Sequence, residues 1–234
     1  MNKYIGLIIF SFIIISCDKE KGNPCDVLVD NVYQFPELPS DNDWTSEQIY
    51  EYLDLPEDIC KCISTEGLIE TCMNYPYLSL IWAGASSQSG YLLLKDKFRG
   101  FEELEEREDA GTYLLIKYKE MNPLDYNLNS TSEQLGQFSF NFFAFEYVFS
   151  QIPILSKLED VKKIELVETC LNKYDSKHND VNEIHSIATD GTIYILNNLM
   201  IIDNFIETSY SECVSCYSDS IINYSIEYLN HLRN

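Results

Sequence analysis

Leu135, Phe138, Phe142, Phe145 and Phe149 recur at steps of three and four, the signature of one face of an α-helix. Phe140, Phe143 and Tyr147 fall on the other faces, so this segment is apolar nearly all round and belongs at the centre of the molecule. Its start is marked by Thr131-Ser132-Glu133-Gln134, a capping box in which the Thr131 hydroxyl accepts the third helical N–H and Gln134 reaches back. The same four letters stand at Thr45-Ser46-Glu47-Gln48, with Ile49 and Leu53 following at i, i+4. Further helical stripes are Tyr91, Leu94 and Phe98 after Gly90; Tyr113, Leu114, Lys117, Tyr118 and Met121 before Pro123; Ile193, Leu196, Leu199 and Met200 towards Phe205; and Ile222, Ile226 and Leu229 near the end. Period-two alternation is confined to short stretches such as Val27 to Val32. The pattern predicts an all-α class with about eight to ten helices of ordinary length.

An internal echo refines this. Leu68-Ile69-Glu70-Thr71-Cys72-Met73-Asn74 matches Leu166-Val167-Glu168-Thr169-Cys170-Leu171-Asn172, and Glu57-Asp58-Ile59 upstream matches Glu159-Asp160-Val161. The two pairs of matches differ in offset by about one helical turn, so both copies would present nearly the same face. Two copies suggest stacked helical hairpins of the HEAT or tetratricopeptide kind, although such arrays usually need three or more repeats.

The front of the chain has a different pattern. Lys3 and Tyr4 precede an apolar run from Ile5 to Ile15, which stops at Ser16-Cys17 and gives way to Asp18-Lys19-Glu20-Lys21. At about a dozen residues the run is too short for a membrane-spanning helix, which takes about 20, and reads as a cleaved export signal. Ile14-Ile15-Ser16-Cys17 resembles the lipobox of bacterial lipoproteins, in which the cysteine receives diacylglycerol and, as the new N-terminus, an acyl chain such as palmitate. Several chains together hold such a protein on a membrane essentially permanently. The organisation expected is a signal at residues 1–16, a flexible tether at 17–43 with Pro24, Pro36 and Pro39, and one all-α domain at 44–234.

Charge limits the partners. Removing residues 1–16 takes away one base, Lys3, and leaves 15 basic against 38 acidic residues. Nucleic acid is excluded, because phosphate binding needs a basic stripe that displaces counterions. Anionic headgroups are disfavoured in the same way, which leaves the lipid on Cys17 as the membrane contact. The chain is nonetheless 45% apolar and 13% aromatic, enough for a compact core rather than a disordered acidic polymer.

The stretch from Ile63 to Leu78, together with Phe98-Arg99-Gly100-Phe101-Glu102-Glu103-Leu104 and Lys117-Tyr118-Lys119-Glu120-Met121-Asn122-Pro123, resembles a family of uncharacterised secreted or lipid-anchored helical proteins from Bacteroidetes. The likeness spans residues 44 to about 175 and brings no reaction with it. It implies an outer-membrane address, on the periplasmic side or the cell face.

Candidate chemistry is sparse. His178, Asp180, Glu183 and His185 mix imidazole with carboxylate and would ligate a metal if the segment folded back on itself; a solvated turn is the simpler reading. Cys213-Val214-Ser215-Cys216 has the C-x-x-C spacing of thiol-exchange sites without a surrounding βαβ pattern, so a local disulfide or a reduced pair is expected. The other cysteines beyond Cys17 are Cys25, Cys60, Cys62, Cys72 and Cys170, and seven in all leave at least one unpaired. Cys72 and Cys170 share the apolar phase of their helices and read as small buried hydrophobes. Gly84 to Gly90 reads as an interhelical loop, and Glu102 to Asp109 as a solvated acidic face. No catalytic residue is assigned, and no cofactor beyond the lipid on Cys17. The expectation is a lipid-anchored envelope protein that binds another envelope or extracellular protein or a glycan, its 17 tyrosines supplying contact surface. The alternatives are an envelope hydrolase or metal-dependent enzyme using the His178 to His185 cluster, and thiol exchange through Cys213 and Cys216.

Overall fold

The computed structural model describes residues 23–39, 43–180, 189–206 and 217–234. The lipobox with Cys17, as well as Glu183, His185, Cys213 and Cys216, lies outside those residues. The described chain is all-α: α1 (Ser46–Leu53), α2 (Glu57–Cys60), α3 (Thr65–Met73), α4 (Ser87–Lys97), α5 (Arg99–Glu106), α6 (Ala110–Glu120), α7 (Ser132–Phe149), α8 (Ile152–Leu155), α9 (Asp160–His178), α10 (Thr189–Ile202) and α11 (Ser218–Leu232). Both predicted capping boxes are present, at Thr45 with Gln48 and at Thr131 with Gln134. A third caps α4, where Ser86 and Ser89 satisfy each other's backbone N–H groups. The serine-rich stretch read as a loop is therefore a helix start, and Gly90 lies inside α4. Among the described residues no helix is long and apolar enough to cross a membrane.

The segment 23–39 is not a free tether. Cys25 is bonded to Cys62, Tyr33 donates its backbone N–H to Thr71 Oγ1 at 3.1 Å, and the Phe35 ring packs against the stacked pair Tyr75 and Phe98 at 5.7 and 5.6 Å. Val29 pairs with Val32 across a tight turn in which Asp30 and Asn31 both have positive φ, 50° and 63°, a conformation these two residue types tolerate best after glycine. Asn31 bonds the Ser64 cap of α3. Gly67 makes room for it, since a Cβ there would run into the Asn31 carbonyl oxygen. The alternation from Val27 to Val32 thus marks this hairpin rather than a sheet.

The core runs the length of the body. The second half of α7, from Phe142 to Phe149, is buried on every face, whereas Glu133, Gln134 and Gly136 in its first half are exposed. α10 packs on α7, α8, α9 and α11, and α3 packs on α5, α6 and α7. Helices distant in sequence therefore touch as often as successive ones, and the body is a cluster around α7 and α10 rather than a one-dimensional stack of hairpins. The internal echo survives in part: α3 and α9 both pack on α6, with Cys72 and Cys170 fully buried at matching positions. Its upstream half does not match, because Ile59 is buried in α2 whereas Val161 is 65% exposed on α9. The last helix is also rotated relative to the expected stripe. Ile221, Ser225, Tyr228 and Leu229 face inward and Ile226 is 48% exposed. Tyr228 takes that orientation to hydrogen-bond Asp203, which also pairs with Lys163 of α9 at 2.6 Å.

Candidate functional site

The sequence-predicted metal cluster is only half within the described residues. His178 ends α9, exposed, with its ring stacked on Tyr174 at 5.6 Å; Asp180 accepts a hydrogen bond from the Tyr126 hydroxyl at 2.6 Å. Among the described residues no group of three or more His, Cys, Asp or Glu side chains is placed to hold a metal ion. Cys60, Cys72 and Cys170 are reduced and buried. Burial pushes the Cys60 thiol up to about 11 and raises the other two as well, so these thiols are packing groups rather than nucleophiles. The acidic run on α5 is only partly solvated. Glu103 pairs with Arg107, which also donates to the carbonyls of Cys60 and Ile63. Glu105 turns inward to Lys95 and Tyr91.

Two buried polar regions lie between α7 and α10. The first centres on Glu146, the acid within the buried half of α7, wholly removed from solvent. Lys177 of α9 donates to its Oε2 at 2.6 Å, Thr192 of α10 to its Oε1 at 2.7 Å, and the Tyr118 hydroxyl of α6 to that same oxygen. Lys177 also donates to Thr192 at 3.0 Å and lies 4.3 Å from the centre of the Phe142 ring, a cation–π contact. Gly191 brings α10 this close: a Cβ there would sit 2.6 Å from Glu146 Oε2. Burial lowers the pKa of Lys177, opposed by the Glu146 carboxylate, and burial raises that of Tyr118. With both charges sealed and hydrogen-bonded, the cluster fixes how four helices register and offers no surface to a ligand.

The second region is a cavity of about 410 Å³ walled chiefly by α4, α7, α8 and α10, with Glu105 of α5. That volume falls within the range of small-molecule sites, about 300–1,000 Å³. Tyr147 of α7 and Tyr194 of α10 meet edge to face, ring centres 4.8 Å apart and planes at 81°, so the buried Tyr147 fixes the tilt of the half-buried Tyr194 ring. The Tyr147 hydroxyl donates to Gln88 of α4 at 3.2 Å, and Gln151 donates to the Tyr147 carbonyl at 2.8 Å. Burial raises the pKa of Tyr91, Tyr147 and Tyr194, helped at Tyr91 by Glu105 and at Tyr147 by Tyr194 and opposed at Tyr194 by a hydrogen bond with Ser87, so these lining phenols stay neutral. Leu92 and Ile152, 53% and 48% exposed, form an apolar rim.

The amides of α10 are directional. Asn197 Nδ2 donates to Asn198 Oδ1 at 3.1 Å, and Asn198 Nδ2 donates to the Ser150 carbonyl at 2.8 Å. This leaves Asn197 Oδ1 at the head of the chain, buried and without a donor. An unsatisfied buried acceptor costs about 1–3 kcal/mol, and such groups in native proteins call for an explanation. Sequence reasoning passed over Asn197, Asn198, Glu105 and Glu146. The signal for three of them was available: isolated polar residues within apolar helices are placed for a reason more specific than solvation. Glu105 was hidden among neighbouring acids that do face water.

No family model, no curated protein and no solved structure matches this chain.

Proposed function

We propose that this chain is a lipid-anchored protein of the cell envelope, acylated on Cys17 and carried on the outer membrane, whose helical body is a non-enzymatic binding module. The address rests on the Ile14-Ile15-Ser16-Cys17 pattern after a short apolar run. The Cys25–Cys62 disulfide supports it independently, because such bonds persist in oxidising compartments and are rare in a reducing cytosol. The body is held near the lipid. Packing begins by Cys25, eight residues after the acylated cysteine, so the leash spans at most about 3.3–3.6 Å for each of those residues. The observation that carries the binding half is the cavity between α4, α7, α8 and α10, with its half-buried Tyr194 ring and the unsatisfied carbonyl of Asn197.

Metabolic labelling with palmitate tests the address. Label is expected on the wild-type chain in the membrane fraction, with processing blocked by globomycin, and none on the Cys17→Ser variant. Wild-type protein without label, recovered in the aqueous fraction with residues 1–16 attached, would overturn the reading.

A further inference from the structure

The geometry points to the cavity between α4, α7, α8 and α10 as a saccharide subsite, which takes a neutral sugar with its ring against Tyr194 and its hydroxyls on the amides of Asn197 and Asn198; this inference rests on the binding reading above. Charge is the first discriminator. Lys95 and Glu105, the ionisable pair in the wall, neutralise each other at 2.7 Å, so the site offers no excess charge to an ion. That neutrality stands out on a chain of net charge −22, whose surface would repel an anion anywhere and draw a cation elsewhere. Hydrogen-bond direction is the second. The amide chain runs from Asn197 through Asn198 to the Ser150 carbonyl and leaves a buried acceptor at its head, which only an O–H or N–H could satisfy. The lining phenols and side-chain amides present both donors and acceptors, which suits hydroxyls, since each hydroxyl is both. Shape is the third. The half-buried Tyr194 ring, held at 81° on the buried Tyr147, and the Leu92 and Ile152 rim provide an apolar face for the C–H side of a sugar ring while its edge meets amides.

The test uses the full chain in a zwitterionic, sugar-free detergent and saturation-transfer NMR. The probes are glucose, galactose, mannose, N-acetylglucosamine, lactose, cellobiose and maltose, with glucuronate, glucosamine and trialanine as controls. At least one neutral sugar is expected to receive saturation on its ring C–H protons. Binding should weaken by about tenfold or more in Tyr194→Ala and in Asn198→Ala, with thermal melting retained. Tyr194→Phe, which keeps the ring, should lose less than Tyr194→Ala and covers the case in which the alanine variant fails to fold. Glucuronate, glucosamine and trialanine should bind at least about tenfold more weakly than the best sugar. The inference is overturned if no neutral sugar binds, if a charged or peptide probe binds better, or if sugar binding ignores both positions. A photo-reactive residue at rim position 92 of the membrane-anchored protein separates the two failures. Cross-linking to an envelope protein without sugar binding overturns the saccharide assignment and leaves the binding reading standing. No sugar binding and no cross-link overturns both.

Discussion

Glu146 and Tyr147 are neighbours on α7, yet they belong to buried polar regions of opposite character. Around Glu146 each carboxylate oxygen has a donor, from Lys177 on one side and from Thr192 and Tyr118 on the other. Around Tyr147 the amides are ordered too, but the chain ends at Asn197 Oδ1 with nothing to receive. Both regions bridge α7 and α10. The difference teaches that a completed buried network serves the scaffold, because any change leaves a charge uncompensated, whereas an incomplete one beside a cavity is already short of a partner.

Alkali should have the largest effect, because it reaches buried phenols in both regions. Tyr118 in the sealed cluster, together with Tyr75, Tyr91, Tyr147 and Tyr228, has its pKa raised chiefly by burial. A raised folded value means that the stabilisation is fully present below the unfolded tyrosine value of about 10 and is lost as pH climbs towards the folded values. The lowered lysines Lys117, Lys173 and Lys177 act with opposite sign, but only between their folded values and the ordinary lysine value of about 10.5. Above that window the tyrosine contribution remains, joined by the buried thiols of Cys60, Cys72 and Cys170, whose values burial also raises, and both fall as pH climbs. Absorbance at 295 nm and circular dichroism should therefore change together, the five phenols ionising as helicity is lost. Their ionisation with the fold intact would refute the burial described.

Next in size is the ion pair. Glu146→Ala should destabilise by about 3–5 kcal/mol in urea unfolding, because Lys177 is left buried and unpaired. Replacing both, Glu146→Leu with Lys177→Met, should recover most of that loss; a double variant as unstable as the single would show that the pair does more than compensate itself. Opening the Cys25–Cys62 bond, which joins residues 37 apart, by Cys25→Ser should cost about 2–4 kcal/mol and increase exchange at the Tyr33 amide. Unchanged exchange there would mean that Thr71 and the Phe35 packing hold the segment without the bond. Gly191→Ala should lose about 1–3 kcal/mol, since the new methyl meets Glu146. The smallest effect is expected at Asn197. Asn197→Ala should change stability by less than about 1 kcal/mol, since the bond it loses to Asn198 is offset by removing a buried acceptor that bonds nothing. A loss as large as that at Glu146 would erase the distinction between the two regions.

Much of the scaffold could be read from the chain. The capping boxes at Thr45 and Thr131, the aromatic run of α7 and the buried phase of Cys72 and Cys170 follow from local spacing. What escaped depends on long-range contact. Residues 23–39 look like a tether because proline, aspartate and asparagine suit loops, and nothing local reveals that Cys25 pairs with Cys62 or that Phe35 finds Tyr75 and Phe98. The phase of α11 was misread because Ser225 and Tyr228 carry no strong apolar signal, yet the Asp203 carboxylate turns that face inward. The cavity gathers side chains from α4, α5, α7, α8 and α10, a juxtaposition that periodicity cannot supply. The His178 to His185 and Cys213 to Cys216 pairs lie partly or wholly outside the described residues.

Hydrogen–deuterium exchange of the anchored protein in its native envelope, compared with the purified full chain, tests most directly whether the cavity is where this protein binds. Added protection is predicted on α4, α8 and the Tyr194 to Asn198 part of α10, with the Lys173 to Lys177 part of α9 unchanged. Identical exchange in the two states, or protection confined to other faces, would contradict the account.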